Sequence, residues 1–208
     1  MAYEFTQLLE GMAREKSPGP SATFSVFHAL HALELIAQKP IGRNMLAQNL
    51  KIGEGAVRTM TSRLKEANLI TTSKAGCALT KRGLGVLNEY RQVIKKTAFG
   101  KSELTHAECN WAILIKKHGR KLKSGMEQRD AAVIQGATNA TTMIYKRQHL
   151  AIPSISNDVV RDFPKAAQQI VRSFKLEEND VVVIVGANNS ETAEYGALAA
   201  AWTLLSND

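Results

Sequence analysis

The segment 41–79 constrains the fold of this chain most tightly. Two short helical patterns, residues 41–50 and 54–68, are separated by a turn of only three residues that ends in Gly53. Glycine is favoured directly before a helix, because its backbone takes up the required conformation at little cost. A short helix, a tight glycine turn and a second helix are typical of a helix-turn-helix, which we therefore predict here.

The second of these helices has one apolar face and one polar, basic face. Its apolar residues recur at the spacing of a single helix face, and they are Val57, Met60, Leu64 and Ala67. The outward residues are Arg58, Thr59, Ser62, Lys65 and Glu66. Because the second helix of a helix-turn-helix enters the major groove, the polar face would meet DNA.

A predicted hairpin follows directly. Residues 69–72 and 77–79 are β-prone, and the turn 73–76 between them carries Lys74 at its tip. Thr80 then begins a further helix, whose apolar stripe we expect to reach Ile94. Helix-turn-helix, hairpin and helix in this order predict a winged helix, with residues 69–79 as the wing.

Two more helices are predicted upstream. A short leading helix ends at the Pro/Gly loop 17–20, because each proline removes a backbone donor and restricts the residue before it. Ser21 would cap the next helix, which ends before Pro40. We expect a leading segment 1–20, a winged helix-turn-helix over 21–97 and a second domain over 98–208.

Positive charge is concentrated in the winged-helix segment. The 208 residues carry 27 Lys and Arg against 19 Asp and Glu, a net charge of +8. Residues 39–96 alone hold 12 basic and 3 acidic residues, a net of +9. Such a segment indicates a partner with a phosphate backbone, although charge by itself does not separate DNA, RNA and an anionic membrane.

The runs 45–47, 57–70 and 79–80 resemble prokaryotic winged-helix transcription regulators. The resemblance covers about a third of the chain and implies a homodimer that binds duplex DNA. The residues then expected to face the bases are Arg58, Thr59 and Ser62. The residues expected to hold phosphates, which positions the protein without specifying sequence, are Arg43, Arg63, Lys65, Lys74, Lys81 and Arg82.

Residues 98–208 have a different pattern, in which strands and helices follow in the order ββαββαβα. This order predicts a two-layer domain, with an antiparallel or mixed sheet and helices on one face, and so an α+β chain. The runs 125–132, 136–138, 140–142 and 192–205 resemble an uncharacterised archaeal family in which a winged helix precedes a small α/β domain. That resemblance implies a fold similar to the GAD domain of some tRNA-charging enzymes, and we expect assembly, effector sensing or both.

A basic run in this half is a candidate anion site. Five Lys and Arg lie between Lys116 and Lys123, and Ser124 would open a capping box, where free amides and the helix dipole favour an anion. Asp130 is expected on or beside the inward stripe of this helix. A solvated loop and a structural salt bridge are the alternatives. The candidate residues for an anionic effector are Lys121, Lys123, Ser124, Arg129 and Asp130.

Catalytic and metal-binding motifs are missing from the sequence. It contains no G-x-S-x-G, H-E-x-x-H or Walker pattern, and no Cys or acidic cluster accompanies His28 and His31 to complete a metal site. We therefore predict a non-enzyme without cofactor or metal. Two cysteines, no secretory signal pattern and no apolar span indicate the cytoplasm. The alternatives are an RNA-binding protein and, further behind, a small-molecule enzyme with an appended winged helix.

Overall fold

The computed structural model describes residues 3–14 and 23–206. The chain divides into two compact units, Met1–Arg91 and Gln92–Asp208. The domain boundary predicted after Thr97 lies inside a strand of the second unit. The helix that was expected to reach Ile94 ends at Val93, and Ile94 is already paired with Ile115 in the sheet. The Pro/Gly loop 17–20 and Ser21 lie outside the described residues.

The first unit consists of helices and one hairpin. Its elements are α1 (Glu4–Ala13), α2 (Val26–Gln38), α3 (Arg43–Leu50), α4 (Glu54–Glu66), β1 (Ile70–Ser73), β2 (Gly76–Leu79) and α5 (Lys81–Val93). The order predicted for a winged helix is therefore confirmed. Fully buried side chains from these elements form the core, and they include Phe5, Leu9, Leu33, Leu46, Met60, Leu64 and Leu87.

The first helix of the winged helix begins at Val26, and Ser25 caps it. The Ser25 side chain accepts a hydrogen bond from the backbone N–H of His28, while the His28 ring accepts one from the backbone N–H of Ser25 at 3.0 Å. This reciprocal pair is a capping box, which satisfies amide donors at the helix start. The structure thus gives His28 a capping role.

The hairpin is tied to the chain that precedes α3. β1 and β2 pair antiparallel with Ser73 opposite Gly76, and Ile41 forms a β-bridge with Cys77 on the other side of β2. Gly76 has a φ of +115°, and a Cβ atom there would lie 2.6 Å from the backbone of Ile41. Only glycine fits this position, so the close approach fixes the wing against the start of α3.

The second unit is built on one antiparallel sheet. Its elements are β3 (Ile94–Phe99), β4 (Cys109–Ile115), α6 (Met126–Ile134), β5 (Asn139–Lys146), β6 (His149–Ala151), α7 (Val159–Asp162), α8 (Pro164–Ser173), β7 (Val181–Ala187) and α9 (Ser190–Leu205). The five strands lie in the order β3-β4-β7-β5-β6, and every neighbouring pair is antiparallel. The predicted order is confirmed with one addition, the single-turn helix α7, which ends before the proline that begins α8.

Helices cover both faces of this sheet, so the predicted arrangement of two layers is wrong. Ala112, Leu114, Val182 and Ile184 share a core with α8, whereas α6 and α9 pack on the other face. The reason is visible in β7, where every residue from Val181 to Ala187 is buried. A strand that is apolar on both faces needs cover on both faces.

Candidate nucleic-acid interface

A basic cleft of about 680 Å³ lies between α4 and the β1–β2 hairpin in the first unit. Its four cations are Arg43, Arg58, Lys65 and Lys74, and none of the described residues that line it is acidic. We call this feature the basic cleft. Four positive side chains without a lining carboxylate make a surface that attracts an anion.

The packing of α4 orients its residues toward the cleft. Ala56, Val57, Met60, Thr61 and Leu64 are buried, and the Thr61 hydroxyl donates to the backbone oxygen of Val57 at 2.8 Å. The opposite face of the helix is therefore left to solvent. The residues of that face that line the cleft are Arg58, Ser62 and Lys65. They are four and three residues apart, which is the spacing of one helix face.

The three predicted base-facing residues lie in two different settings. Arg58 and Ser62 are exposed and line the basic cleft, and the Ser62 hydroxyl donates to Glu66 at 3.1 Å. Thr59 is also exposed, but it is not among the cleft residues, and its hydroxyl donates to the backbone oxygen of Gly55 at 3.1 Å. The structure brings Arg58 and Ser62 together and leaves Thr59 beside them.

Of the predicted phosphate contacts, Arg43, Lys65 and Lys74 line the basic cleft. Lys81 is exposed at the start of α5 and does not line it. Arg43 begins α3, which follows Gly42 without a side-chain cap. The first amides of α3 therefore add partial positive charge beside the Arg43 side chain.

Arg63 has a different place from the one predicted for it. It is half-buried, its guanidinium donates to the backbone oxygens of Met12 and, at 3.0 Å, of Arg14, and it lies 5.5 Å from the centre of the Phe24 ring. These oxygens belong to the C-terminal end of α1. Arg63 therefore fastens α1 to α4, which is a structural role and not the phosphate contact expected from the sequence.

Arg82 and Glu89 fasten the other end of α1. Arg82 donates to the backbone oxygen of Ala67 at 3.1 Å and forms an ion pair with Glu4 at 3.0 Å. Glu89 accepts from the backbone amides of Glu4 and Phe5 at 3.3 and 3.0 Å. Because a carboxylate at a helix N-terminus satisfies free amides, Glu89 acts as a cap supplied by α5. α1 is thus an integral part of the first unit.

The candidate anion site of the second unit is largely internally paired. Lys123 forms an ion pair with Glu127 at 3.0 Å, and Arg129 forms one with Asp130 at 3.1 Å. Lys121 lies 3.5 Å from the backbone oxygen of Ser206. Ser124 does not open a capping box, because Gly125, with a φ of +82°, is the residue that precedes α6. The Ser124 hydroxyl instead accepts a hydrogen bond of 3.4 Å from the backbone N–H of Met126.

Asp130 does not point inward, so that prediction is wrong. Its side chain is 59% exposed, and the buried residues of α6 are Gln128 and Ala132. The small Ala132 and a hydrogen bond of 2.6 Å from the Gln128 amide to the Thr203 hydroxyl fit this face of α6 against α9. The stripe of Met126, Asp130 and Val133 therefore faces solvent.

Lys116, at the start of the same basic run, is structural. Its ammonium group lies 3.0 Å from Asp180 and 3.2 Å from Glu177. Asp180 is fully buried and also accepts from the backbone amides of Lys117 and Glu177 at 2.9 and 2.8 Å. Burial lowers the pKa of Lys116, but its hydrogen bonds to the two carboxylates outweigh burial and raise the pKa above its usual value.

Neither a metal cluster nor a membrane span is found in the described part of the chain. No three His, Cys, Asp or Glu side chains are grouped there so that they could hold a metal ion. Within the same residues, no helix has the length and apolar character needed to cross a membrane.

Comparisons with known proteins agree with this division into two units. The family model described as the CggR N-terminal DNA binding domain matches residues 25–94. The model described as a domain of unknown function, DUF4443, matches residues 106–204. The first unit thus carries a DNA-binding domain of the winged-helix type. No curated protein matches the chain.

Among solved structures, a hypothetical protein from Pyrococcus horikoshii OT3 is similar over both units. It is 24% identical, the match covers 87% of this chain and 92% of that chain, and the TM-score is 0.68. ZitR from Lactococcus lactis, in complex with DNA, is 25% identical over 43% of this chain and 69% of its own, with a TM-score of 0.30. The similarity to the Pyrococcus protein supports the fold, whereas the TM-score of the match to ZitR is too low to support it further.

Proposed function

We propose that this protein is a transcription regulator that reads duplex DNA through α4 and the wing. The basic cleft carries the proposal, because it places four cations around one opening in the unit that the DNA-binding family model matches. Phosphate contacts by Lys and Arg supply the salt-dependent part of DNA affinity. The absence of a lining carboxylate leaves these four cations available for that task.

The exposed face of α4 would enter the major groove. Arg58 is the best placed side chain to read a base there, since a guanidinium forms two hydrogen bonds with guanine, and Ser62 lies one turn further along the same face. Thr59 remains a predicted base contact at the edge of this face. Arg43, Lys65 and Lys74, with Lys81 outside the cleft, would hold the phosphates on either side.

The proposal includes a homodimer in the cytoplasm. A single recognition helix reads only a few base pairs, and a second copy doubles the length of the site. The second unit would mediate this assembly, sense a small anionic ligand, or do both. Lys123 and Arg129 form ion pairs with neighbouring carboxylates, so an anionic ligand that binds to these two cations would have to displace the carboxylates.

The experiment that tests the proposal selects binding sites for the full chain from fragmented genomic duplex DNA. We expect enrichment of a small set of duplex sequences, and we expect the enriched duplex to outcompete random duplex and RNA of the same length. Preferential binding to single-stranded or structured RNA would contradict the proposal and favour an RNA-binding protein. Equal affinity for every duplex would contradict sequence-specific regulation.

A further inference from the structure

An exposed strip on α6 interrupts the polar surface of the second unit. Met126, Val133 and Ile134 on this nine-residue helix are 56%, 48% and 81% exposed. They account for three of the eight large apolar side chains that are exposed in the described residues. Exposed apolar patches on a protein surface mark interaction sites, and three exposed apolar side chains on one helix indicate a face that another helix covers.

The charges on this strip are arranged in a regular way. Met126 and Val133 are seven residues apart and so lie nearly on one line along the helix. Arg129, three residues after Met126, lies on one side of this line, and Asp130, four residues after it, lies on the other. Both charged side chains are more than half exposed. The α6 strip is thus an apolar line with a cation on one flank and an anion on the other.

We propose that the α6 strip is the surface through which two copies of this chain associate. A two-fold axis that runs along the helix direction would place Met126 and Val133 against the same residues of the second copy. Each Arg129 would then lie beside the Asp130 of the other copy, as flanking charges pair across parallel helices. An antiparallel pair would instead bring like charges together, so the charge pattern selects the parallel arrangement and a second copy as the occupant.

The expected dimer is weak. A helix of nine residues is about 13 Å long, and two such helices bury less than the roughly 1,200 Å² of a standard interface. Association should therefore require a high protein concentration or a DNA site with two half-sites that raises the effective concentration. The biological role of this dimer rests on the proposed function as a DNA-binding regulator. Dimer formation itself can be measured without DNA.

The test is sedimentation equilibrium of the full chain, without DNA, up to sub-millimolar concentration. We expect a monomer–dimer equilibrium that Arg129→Asp and Asp130→Arg each weaken about tenfold or more, because like charges then face each other. A mixture of the two variants should recover the dimer, since opposite charges face each other again. Arg161→Asp changes the net charge as much as Arg129→Asp does but lies on α7, outside the strip, so it should dimerise like the wild type.

The apolar line is tested in the same way. Val133→Lys should abolish the dimer, whereas Val160→Lys, at a similarly exposed valine of α7, should leave it unchanged. A wild type that stays monomeric at every concentration would overturn the proposal. So would a dimer that survives either charge reversal, or a mixture of the two reversed variants that fails to associate. None of these outcomes depends on DNA, so a failure of the proposed function gives a different result.

Discussion

Both units of the chain contain a cluster of basic residues, but the two clusters have different partners. Arg43, Arg58, Lys65 and Lys74 in the first unit form no ion pair with any described residue. In the second unit, Lys116, Lys123 and Arg129 are each paired with a carboxylate. A cation paired with a carboxylate is partly neutralised, so the first cluster, whose four cations have no such partner, should attract a nucleic acid more strongly. Equal density of charge in a sequence therefore does not imply equal function.

The strongest contrast is expected from removing a buried partner in the second cluster. Asp180→Ala removes the nearest carboxylate from the largely buried Lys116 and leaves two backbone donors unsatisfied, so the second unit should lose about 3–5 kcal/mol of unfolding free energy. Chemical denaturation measures this loss. Arg58→Ala, in the first cluster, should change the unfolding free energy by less than about 0.5 kcal/mol. Similar losses for the two variants would remove the distinction between the clusters.

Arg58→Ala should have its effect on DNA instead. We expect a loss of about 1–3 kcal/mol in the free energy of binding to a selected duplex and little change on random duplex. Fluorescence anisotropy with both duplexes measures the two affinities. Thr59→Ala on the same helix should cost less on the selected duplex, because Thr59 is exposed at the edge of this face and does not line the basic cleft. Equal losses on both duplexes would mean that Arg58 contacts phosphate and reads no base.

Within α4, Arg63 is expected to contribute to stability, whereas Arg58 is expected to contribute to DNA binding. Arg63→Ala removes two hydrogen bonds to the end of α1 and the contact with Phe24, so the first unit should lose about 1–3 kcal/mol of unfolding free energy. The dependence of DNA affinity on salt should keep its slope, because no phosphate contact is lost. Thermal or chemical unfolding and a salt titration check the two parts. A shallower slope would mean that Arg63 contacts a phosphate, as the sequence predicted.

A single cation at the wing should have the smallest effect. Lys74→Ala should weaken binding to selected and random duplex alike, and it should reduce the slope of log affinity against log salt by about 0.9. Lys123→Ala provides the control, because Lys123 is exposed but already paired with Glu127. Anisotropy titrations at several KCl concentrations measure both slopes. A change for Lys123→Ala as large as that for Lys74→Ala would contradict the comparison.

The architecture of the first unit could be predicted from local sequence signals. Gly76 marks a turn whose backbone requirement is strict, whereas Gly53 precedes α4 in an extended conformation that other residues also adopt. The stripe from Val57 to Leu64 identifies the buried face of α4. The role of Arg63 could not be predicted in this way. It lies next to the apolar stripe, and its partners at the end of α1 are about 50 residues away in the sequence.

In the second unit, the sequence left the orientation of α6 ambiguous. Both Met126 with Val133 and Gln128 with Ala132 lie at helical spacing, and hydrophobicity favours the first pair as the buried one. The structure buries the second pair, because a small residue and a specific hydrogen bond fit α9 better than long side chains do. The number of layers differs from the prediction for a related reason, because the order of strands and helices does not show that the continuous apolar run in β7 needs cover on both faces.

The proposed regulator binds DNA through the basic cleft and not through the basic run of the second unit. The most direct test compares the salt dependence of duplex binding for two triple variants of the full chain. Replacing Arg43, Lys65 and Lys74 by alanine should reduce the slope of log affinity against log salt by about 2.7, which is about 0.9 for each lost contact. Replacing Lys121, Lys123 and Arg129 by alanine should leave the slope unchanged. The opposite pattern, with the slope reduced only by the second set, would contradict the account.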